Sequence, residues 1–370
     1  MASNSRTQDS GRISRLLLRG YKSIGECDLE LRSLNVLIGA NGAGKSNFIG
    51  FFRLVNEVIG QQLQRSVTLA GGADAVLRFG RKVTDQLDCT IEFSEGARYG
   101  FSLEATVDNR LAFSREVVGI LDGVEVTSQG YLESQAHLYD SHGNGNALDS
   151  VLRSMRSWTV YHFHDTGPSA RVKQVHNIHN NVRLQDDARN LAAYLLMLKQ
   201  VHPEHYGRIV KVIRLVAPYF GDFHLRPVVG NEKTIQLEWT EAGQSEPFTA
   251  SALSDGTLRF MCLATVLLQP EALMPSTLLI DEPELGLHPF AVQVLAGLMK
   301  SLSHTRQLII STQSVALVDE FQAEDLIIVD KHQGASRFKR LDVHALKEWL
   351  AQYSLGDLWQ KNLLGGRPGR

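Results

Sequence analysis

Cysteine is scarce in this sequence, and the three cysteines that it has lie far apart. Cys27, Cys89 and Cys262 show none of the short spacings that metal sites and redox motifs use. No apolar run approaches the roughly 18 residues that a membrane span needs. The first residues, Met1 to Arg12, are polar and do not resemble a signal peptide. The sequence therefore predicts a cytoplasmic protein with free thiols and no membrane association.

An excess of charge of one sign is also missing. The 38 lysines and arginines nearly balance the 40 aspartates and glutamates, for a net charge of −2, so the whole chain lacks the basic signature of nucleic-acid binding. A local basic face stays open, because charge balance does not describe distribution. One basic run, Arg78, Arg81 and Lys82, is more typical of a solvated face. No internal repeat or long heptad run is evident, so any arm inserted between lobes is short.

Strands and one amphipathic helix are predicted at the start of the chain. Ile13–Arg19 and Ile24–Leu31 alternate as strands do, and Leu34–Ile38 is an apolar run that leads into a glycine-rich loop. From Ser46 to about Gln62 the apolar residues have helical spacing. These residues are Phe48, Phe51, Phe52, Val55, Val58 and Ile59.

An antiparallel sheet is predicted next, between Asp88 and Thr127, with turns at Glu95-Gly96 and Asp122-Gly123. Its expected strands are Cys89–Phe93, Tyr99–Ala105, Leu111–Val118 and Val124–Val126.

The rest of the chain is expected to alternate helices and strands. A glycine- and asparagine-rich loop at Ser141–Asn146 precedes the predicted helices Ala188–Gln200 and Tyr206–Val216. Two short apolar runs, Thr277–Ile280 and Leu308–Ile310, are typical of strands buried on both faces of a parallel sheet.

A phosphate-binding loop lies between the third predicted strand and the first predicted helix. Gly39 to Ser46 fits the pattern G-x-x-x-x-G-K-[ST]. Backbone amides of such a loop close around phosphate oxygens at a helix N-terminus. We expect Lys45 to compensate the β- and γ-phosphates and the Ser46 hydroxyl to bind magnesium. The expected contacts to ATP are Asn41, Gly42, Ala43, Gly44, Lys45, Ser46 and Asn47.

Two carboxylates follow a second apolar strand. The run Leu278 to Ile280 ends in Asp281-Glu282. Beside a phosphate loop, Asp281 is the expected second magnesium residue. Glu282 is the expected general base that polarises the attacking water.

A third element, Leu253 to Thr257, precedes a predicted helix, Leu258–Leu268. Its sequence, LSDGT, is similar to the LSGGQ signature of ABC ATPases, with Asp255 and Thr257 in place of Gly and Gln. A hydroxyl and a glycine at a helix N-terminus form a second anion site. We therefore expect Ser254 and Gly256 to contact ATP.

The chain also resembles ABC ATPases of the OLD, RecF and SMC branch in three other places. Leu16 to Ile24 is similar to the NFKSF opening of that branch, and Asn47 completes its GKSN. Glu284 to Pro289 resembles its D-loop. Ile309 to Ser314 matches the switch strand, where relatives carry histidine and this chain has Gln313. A glutamine can orient water but carries no charge, so we place Gln313 among the catalytic residues.

The resemblance implies an α/β fold of the ABC-type P-loop NTPases, with a mixed sheet, an antiparallel β subdomain and a helical lobe. It implies an ATPase head at 12–350, and the composition of the two ends predicts a disordered leader at 1–11 and a tail at 351–370. The head would contain an N-terminal lobe at 12–135, a short helical insertion at 136–219 and a C-terminal lobe at 220–350.

Weaker signals lie between Tyr161 and Thr166, where the family places its Q-loop. We expect Asp165 to be a third magnesium residue, and His164 is a neighbouring candidate. His176 and His179 lack the partners that a zinc site needs and are expected in a loop.

The resemblance further implies a homodimer joined head to tail through two ATP molecules and Mg²⁺. One interpretation is the ATPase subunit of a prokaryotic defence or DNA-maintenance system, which acts with a separately encoded effector such as a nuclease. OLD proteins carry a fused Toprim nuclease, and only about forty residues follow the strand Leu326–Val329 here, too few for such a domain. The alternative is a self-sufficient RecF-like factor that binds DNA in repair or loading.

Overall fold

The computed structural model describes residues 11–120, 125–136 and 147–366. The chain forms two compact units. Unit 1 contains the chain up to Val160, the segment Pro275–Asp281 and the chain from Ser303 onward. Unit 2 contains Tyr161–Met274 and Glu282–Leu302.

The strands and helices of both units follow in chain order. The strands are β1 Ile13–Tyr21, β2 Ile24–Glu30, β3 Leu34–Ile38, β4 Gln86–Phe93, β5 Ala97–Ala105, β6 Leu111–Ile120, β7 Glu125–Ser128, β8 Thr159–Tyr161, β9 His176–Asn177, β10 Phe220–Phe223, β11 Pro227–Val228, β12 Asn231–Ile235, β13 Glu238–Glu241, β14 Pro247–Thr249, β15 Thr277–Asp281, β16 Gln307–Thr312, β17 Leu326–His332 and β18 Ala335–Arg340. The helices are α1 Lys45–Ile59, α2 Leu63–Ala70, α3 Ala73–Val76, α4 Ala147–Ser157, α5 Leu191–Val201, α6 Pro203–Val216, α7 Asp255–Leu268, α8 Pro289–Ser303, α9 Val315–Val318, α10 Val343–Leu350 and α11 Leu355–Gln360.

Unit 1 is built on a 12-stranded mixed sheet with the order β7-β6-β5-β4-β1-β2-β18-β17-β3-β16-β15-β8. Neighbours from β7 to β2 pair antiparallel. Strands β17, β3, β16 and β15 pair in parallel. Every residue of β3, β15 and β16 is buried, which explains the consecutive apolar residues within each of these strands.

Helix α1 covers the core of unit 1 with the apolar stripe that its sequence predicts. All six residues of that stripe are buried. The Phe51 ring lies 5.3 Å from the Tyr21 ring, and the Phe52 ring lies 5.3 Å from the Trp158 ring. This packing fixes α1 directly after the phosphate loop.

Unit 2 combines helices with two three-stranded antiparallel sheets, ordered β10-β13-β14 and β11-β12-β9. Its central helix is α7, in which every residue from Leu258 to Leu268 is buried. A helix that is apolar nearly all round has to be enclosed by other elements. The N-terminus of α7 is therefore fixed by the packing of the whole helix.

Some expectations fall at the edges of the described residues. The leader at 1–11, apart from Gly11, and the loop Ser141–Asn146 lie outside them. The segment expected as a tail contains α11, in which Leu358 and Trp359 are buried. The division into lobes at 12–135 and 220–350 stays a prediction. Within the described residues, no helix combines the length and the apolar character that a membrane crossing needs.

Candidate functional site

The phosphate loop joins β3 to α1 in unit 1, and its glycines are required by close contacts. Gly44 has φ 118° and is the N-cap of α1. A side chain at Gly44 would collide with the Ser336 hydroxyl, and one at Gly39 would collide with the Val329 carbonyl. No side chain caps α1, so its first-turn amides can serve an anion.

Lys45 lies against its own loop, with a side chain that is nearly buried. Its Nζ donates to the Gly39 carbonyl at 2.7 Å and to the Ala40 carbonyl at 3.1 Å. The ammonium group is therefore held within the phosphate loop. Ser46, in the first turn of α1, is exposed.

A chain of polar side chains supports this loop. Asn47 donates from its amide to the Ser23 hydroxyl at 2.7 Å, and the Ser23 and Ser336 hydroxyls are 2.7 Å apart. Ser336 in turn donates to the Ala43 carbonyl at 2.6 Å. Asn47, which was expected to contact ATP, thus bonds to the opening segment of the chain.

The C-terminal segment also contacts the loop, because the Ala40 amide donates to the Gly366 carbonyl at 2.6 Å. No sequence pattern marks Ser336 or Gly366. Both are distant in sequence from the phosphate loop, and the sequence analysis did not predict their contacts with it.

Asp281 and Gln313 belong to the same edge of the unit 1 sheet as the phosphate loop. Strands β3, β16 and β15 are parallel neighbours, with Ile38 opposite Thr312 and Ser311 opposite Asp281. Their carboxyl ends therefore lie side by side. Asp281 is largely buried and accepts a hydrogen bond from the Ser311 hydroxyl. Gln313 directly follows β16.

Glu282 is in unit 2 and has a left-handed backbone, with φ 47°. Its Oε2 lies 3.9 Å from Nε2 of His164. The rings of His162 and His164 are 3.6 Å apart. Asp165 is exposed, and its Oδ1 accepts a hydrogen bond from the Gly167 amide at 3.2 Å.

The signature residues of unit 2 form the exposed N-terminus of α7. Ser254 is the N-cap, and its Oγ accepts from the Thr257 amide at 3.2 Å. The Tyr219 and Thr257 hydroxyls are 2.9 Å apart. A Cβ at Gly256 would meet the Gly286 carbonyl oxygen at 2.5 Å, so glycine is required where the signature touches the D-loop.

Arg259 ties two loops of unit 2 to helix α7, and the sequence did not reveal it. This residue of α7 is 5% exposed. Its guanidinium donates to the carbonyls of Phe163, at 2.7 Å, and His164, at 3.2 Å. It also donates to the Leu285 carbonyl in the D-loop. Burial lowers the pKa of Arg259, against the attraction of nearby Asp255. One side chain thus joins the signature helix, the predicted Q-loop region and the D-loop.

The sequence of the chain matches a known protein family. The AAA_21 family, described as "AAA domain, putative AbiEii toxin, Type IV TA system", matches residues 34–319. The chain belongs to the AAA_21 family. The matched residues include the phosphate loop, the signature and the Asp281-Glu282 pair. No curated protein matches the sequence.

The structure of this chain is similar to solved structures of Smc head domains. An Smc head bound to the C-winged helix domain of ScpA has a TM-score of 0.61 at 18% identity, over 91% of this chain and 99% of its own. An Smc head with an extended coiled coil, bound to the C-terminal domain of ScpA derived from Pyrococcus furiosus, has a TM-score of 0.55 at 15% identity, over 92% and 99%. An Smc head with a coiled coil and joint from Pyrococcus yayanosii has a TM-score of 0.53 at 14% identity, over 92% of this chain and 99% of its own.

These identities describe the fold alone. Together with the family match they confirm the expected fold class and the resemblance to ABC-type ATPases of the SMC and RecF branch. The chain therefore contains an AAA domain with the fold of Smc heads.

Proposed function

We propose that this AAA_21 protein is a switch that dimerises on ATP and hydrolyses it between two copies of itself. The observation that carries the proposal is the shared carboxyl edge of β3, β15 and β16. The phosphate loop, Asp281 and Gln313 all come from this edge, and each supplies a different requirement of phosphoryl transfer.

ATP would bind first to the phosphate loop. The backbone amides of the phosphate loop and of the first turn of α1, together with the ammonium of Lys45, would hold the phosphates. For Lys45 this requires exchange of the Gly39 and Ala40 carbonyls for phosphate oxygens, which are stronger acceptors. Phosphate binding would thus release the loop carbonyls from the lysine.

The residues near the loop fit magnesium, because the Ser46 hydroxyl and the Asp281 carboxylate are the hard oxygen donors that it prefers. Bound there, magnesium would neutralise charge on the phosphates. The Ser311 hydroxyl fixes the orientation of Asp281. Asp165 stays a further predicted magnesium residue.

Glu282 is proposed to take a proton from the attacking water, and Gln313 to orient that water by hydrogen bonds. The left-handed backbone of Glu282 turns its side chain away from the direction that β15 would otherwise give it. Glu282 follows the last residue of β15, and its carboxylate is proposed to accept the proton from this position.

The signature supports the dimer. Ser254 and Asp255 are exposed at the N-terminus of α7, where backbone amides favour an anion. We propose that Ser254 and Gly256 contact the γ-phosphate bound to the partner copy. ATP would then join two copies, and hydrolysis would separate them.

The output is proposed to pass through a separately encoded effector, such as a nuclease, in a defence or DNA-maintenance system. The description of the AAA_21 family names a toxin–antitoxin system, and two of the Smc heads were solved bound to ScpA domains. Both support a role with a protein partner.

Light scattering on the purified protein with ATP, ADP or a non-hydrolysable ATP analogue tests the switch, together with phosphate release. We expect the mass to double with ATP or the analogue and not with ADP. An unchanged mass with every nucleotide, or no phosphate release, would overturn the proposal. Co-purification with the product of a neighbouring gene tests the effector. Tight binding of duplex DNA by the purified protein alone would favour the RecF-like alternative instead.

A further inference from the structure

The signature of this chain carries a negative charge where ABC ATPases have a glycine. Asp255 is the first residue of α7, and its side chain is 65% exposed. The helix N-terminus favours a carboxylate at this position. In the proposed dimer, however, Asp255 lies between Ser254 and Gly256, which are to contact the γ-phosphate of the partner's ATP. Two like charges brought together oppose association.

Lys173 is placed to remove this conflict. Its Nζ lies 3.6 Å from Oδ1 of Asp255. The Lys173 side chain is only 7% exposed, which is rare for lysine. Among the described residues, Lys173 is the one ion-pair partner of Asp255.

Hydrogen bonds fix both the side chain and the backbone of Lys173. Its Nζ donates to the Thr166 carbonyl at 2.6 Å, and its own carbonyl accepts from the Gln236 amide at 2.9 Å. Thr166 follows Asp165 in the predicted Q-loop region. The buried ammonium therefore links that region to the signature through one atom.

We infer that Lys173 is a positioning residue of the composite ATP site, which neutralises Asp255 and holds the signature at a fixed distance from the segment of Thr166. This inference rests on the proposed ATP-dependent dimer. Lys173 lies outside every nucleotide-binding motif. By neutralising Asp255, it would make the acidic signature compatible with an anionic ligand.

Removal of the charge on Lys173, alone or together with that on Asp255, tests the inference. Lys173→Met keeps the length of the buried stem and removes the charge. We expect it to bind a fluorescent ATP analogue normally as a monomer, because the phosphate loop belongs to unit 1. Its ATP-dependent dimerisation should weaken about tenfold, since Asp255 then repels the phosphate, and added salt should partly restore it.

Rescue separates the electrostatic role from a structural one. The double variant Lys173→Met with Asp255→Asn should dimerise close to wild type, and Lys173→Arg should keep most of the function. Lys199→Met is the matched control, because Lys199 also lies 3.6 Å from an aspartate, Asp222, in the same unit. It should dimerise as the wild type does.

The outcomes distinguish this inference from the proposed function. If the wild type dimerises with ATP and the double variant is as defective as Lys173→Met, Lys173 has only a structural role and the inference is wrong. It is equally wrong if Lys173→Met dimerises normally. A wild type that stays monomeric with ATP overturns the proposed function, and this inference with it.

Discussion

Lys45 is the side chain on which we expect nucleotide binding to depend most. It is buried within the loop and bonds two loop carbonyls, so its charge is already in place for the phosphates. We expect Lys45→Ala to abolish binding of a fluorescent ATP analogue. Lys331→Ala, which removes an exposed lysine of the same unit, is the control and should bind normally. Wild-type affinity in Lys45→Ala would contradict the whole functional proposal.

Glu282 is the residue whose replacement separates binding from turnover. Glu282→Gln keeps Asp281 and the phosphate loop but cannot accept a proton. Loss of a positioned general base lowers the rate by roughly 10²–10⁴-fold. We expect phosphate release to fall by such a factor and the ATP-bound dimer to accumulate on a sizing column. If turnover is unchanged, the base is another residue, and Glu284 is the next candidate.

The left-handed backbone of Glu282 also predicts a stability difference between two inactive variants. Asparagine adopts positive φ more readily than glutamine or glutamate. We expect Glu282→Asn to be more stable than Glu282→Gln by about 0.5–1 kcal/mol, measured by urea unfolding without nucleotide. Equal stabilities would show that the strain at residue 282 is negligible.

The sequence predicts the motif residues but not the residues that hold them in place. Lys45, Asp281 and Ser254 lie in contiguous patterns whose chemistry can be recognised without a fold. Arg259 and Lys173 act through contacts with distant segments, such as the bond from Arg259 to Phe163 across 96 positions. Pairings of this kind depend on the tertiary structure, and no local pattern encodes them.

At the scale of elements, the N-terminus of α7 is the feature that distinguishes an ABC ATPase from other P-loop enzymes. We expect Ser254→Arg to bind ATP but not to dimerise, because a bulky side chain replaces a hydroxyl at the shared phosphate. Loss of the cap should cost about 1 kcal/mol of stability, which thermal melting would measure. Ser251→Arg adds the same side chain nearby, in an exposed turn, and should dimerise.

Mixing Ser254→Arg with Lys45→Ala makes this prediction sharper. In a head-to-tail dimer both changes can fall on one composite site, which leaves the other site intact. We therefore expect the mixture to recover part of the ATPase activity that each variant lacks alone. Normal hydrolysis by Ser254→Arg alone would show that the segment is only a helix cap.

Apolar runs and segments with a strong helical period were predictable from the sequence. The apolar run Leu34–Ile38 coincides with β3, and the stripe from Phe48 to Ile59 faces the core of unit 1 as expected. Helix α11 was missed, because its six residues are too few for a clear helical period. It is fixed by tertiary contacts, such as the Gly356 amide donating to Asp319.

At the scale of the whole molecule, neither unit is a continuous stretch of chain. One of the places where the chain passes from one unit to the other is the peptide bond between Asp281 and Glu282. The proposed magnesium residue and the proposed base are thus consecutive in sequence but belong to different units. No single truncation can therefore isolate either unit complete and by itself.

The sheet order has a consequence for how the protein is made on the ribosome. Strand β3 pairs with β16, and the bond from Asn35 to the Leu308 carbonyl spans 273 positions. At about 5–20 residues per second, β3 emerges roughly 15–55 s before its neighbour. During that time β3, with four apolar residues among its five, has no parallel partner to pair with. Nascent chains that end before Gln307 should therefore depend on chaperones, and their release should favour aggregation.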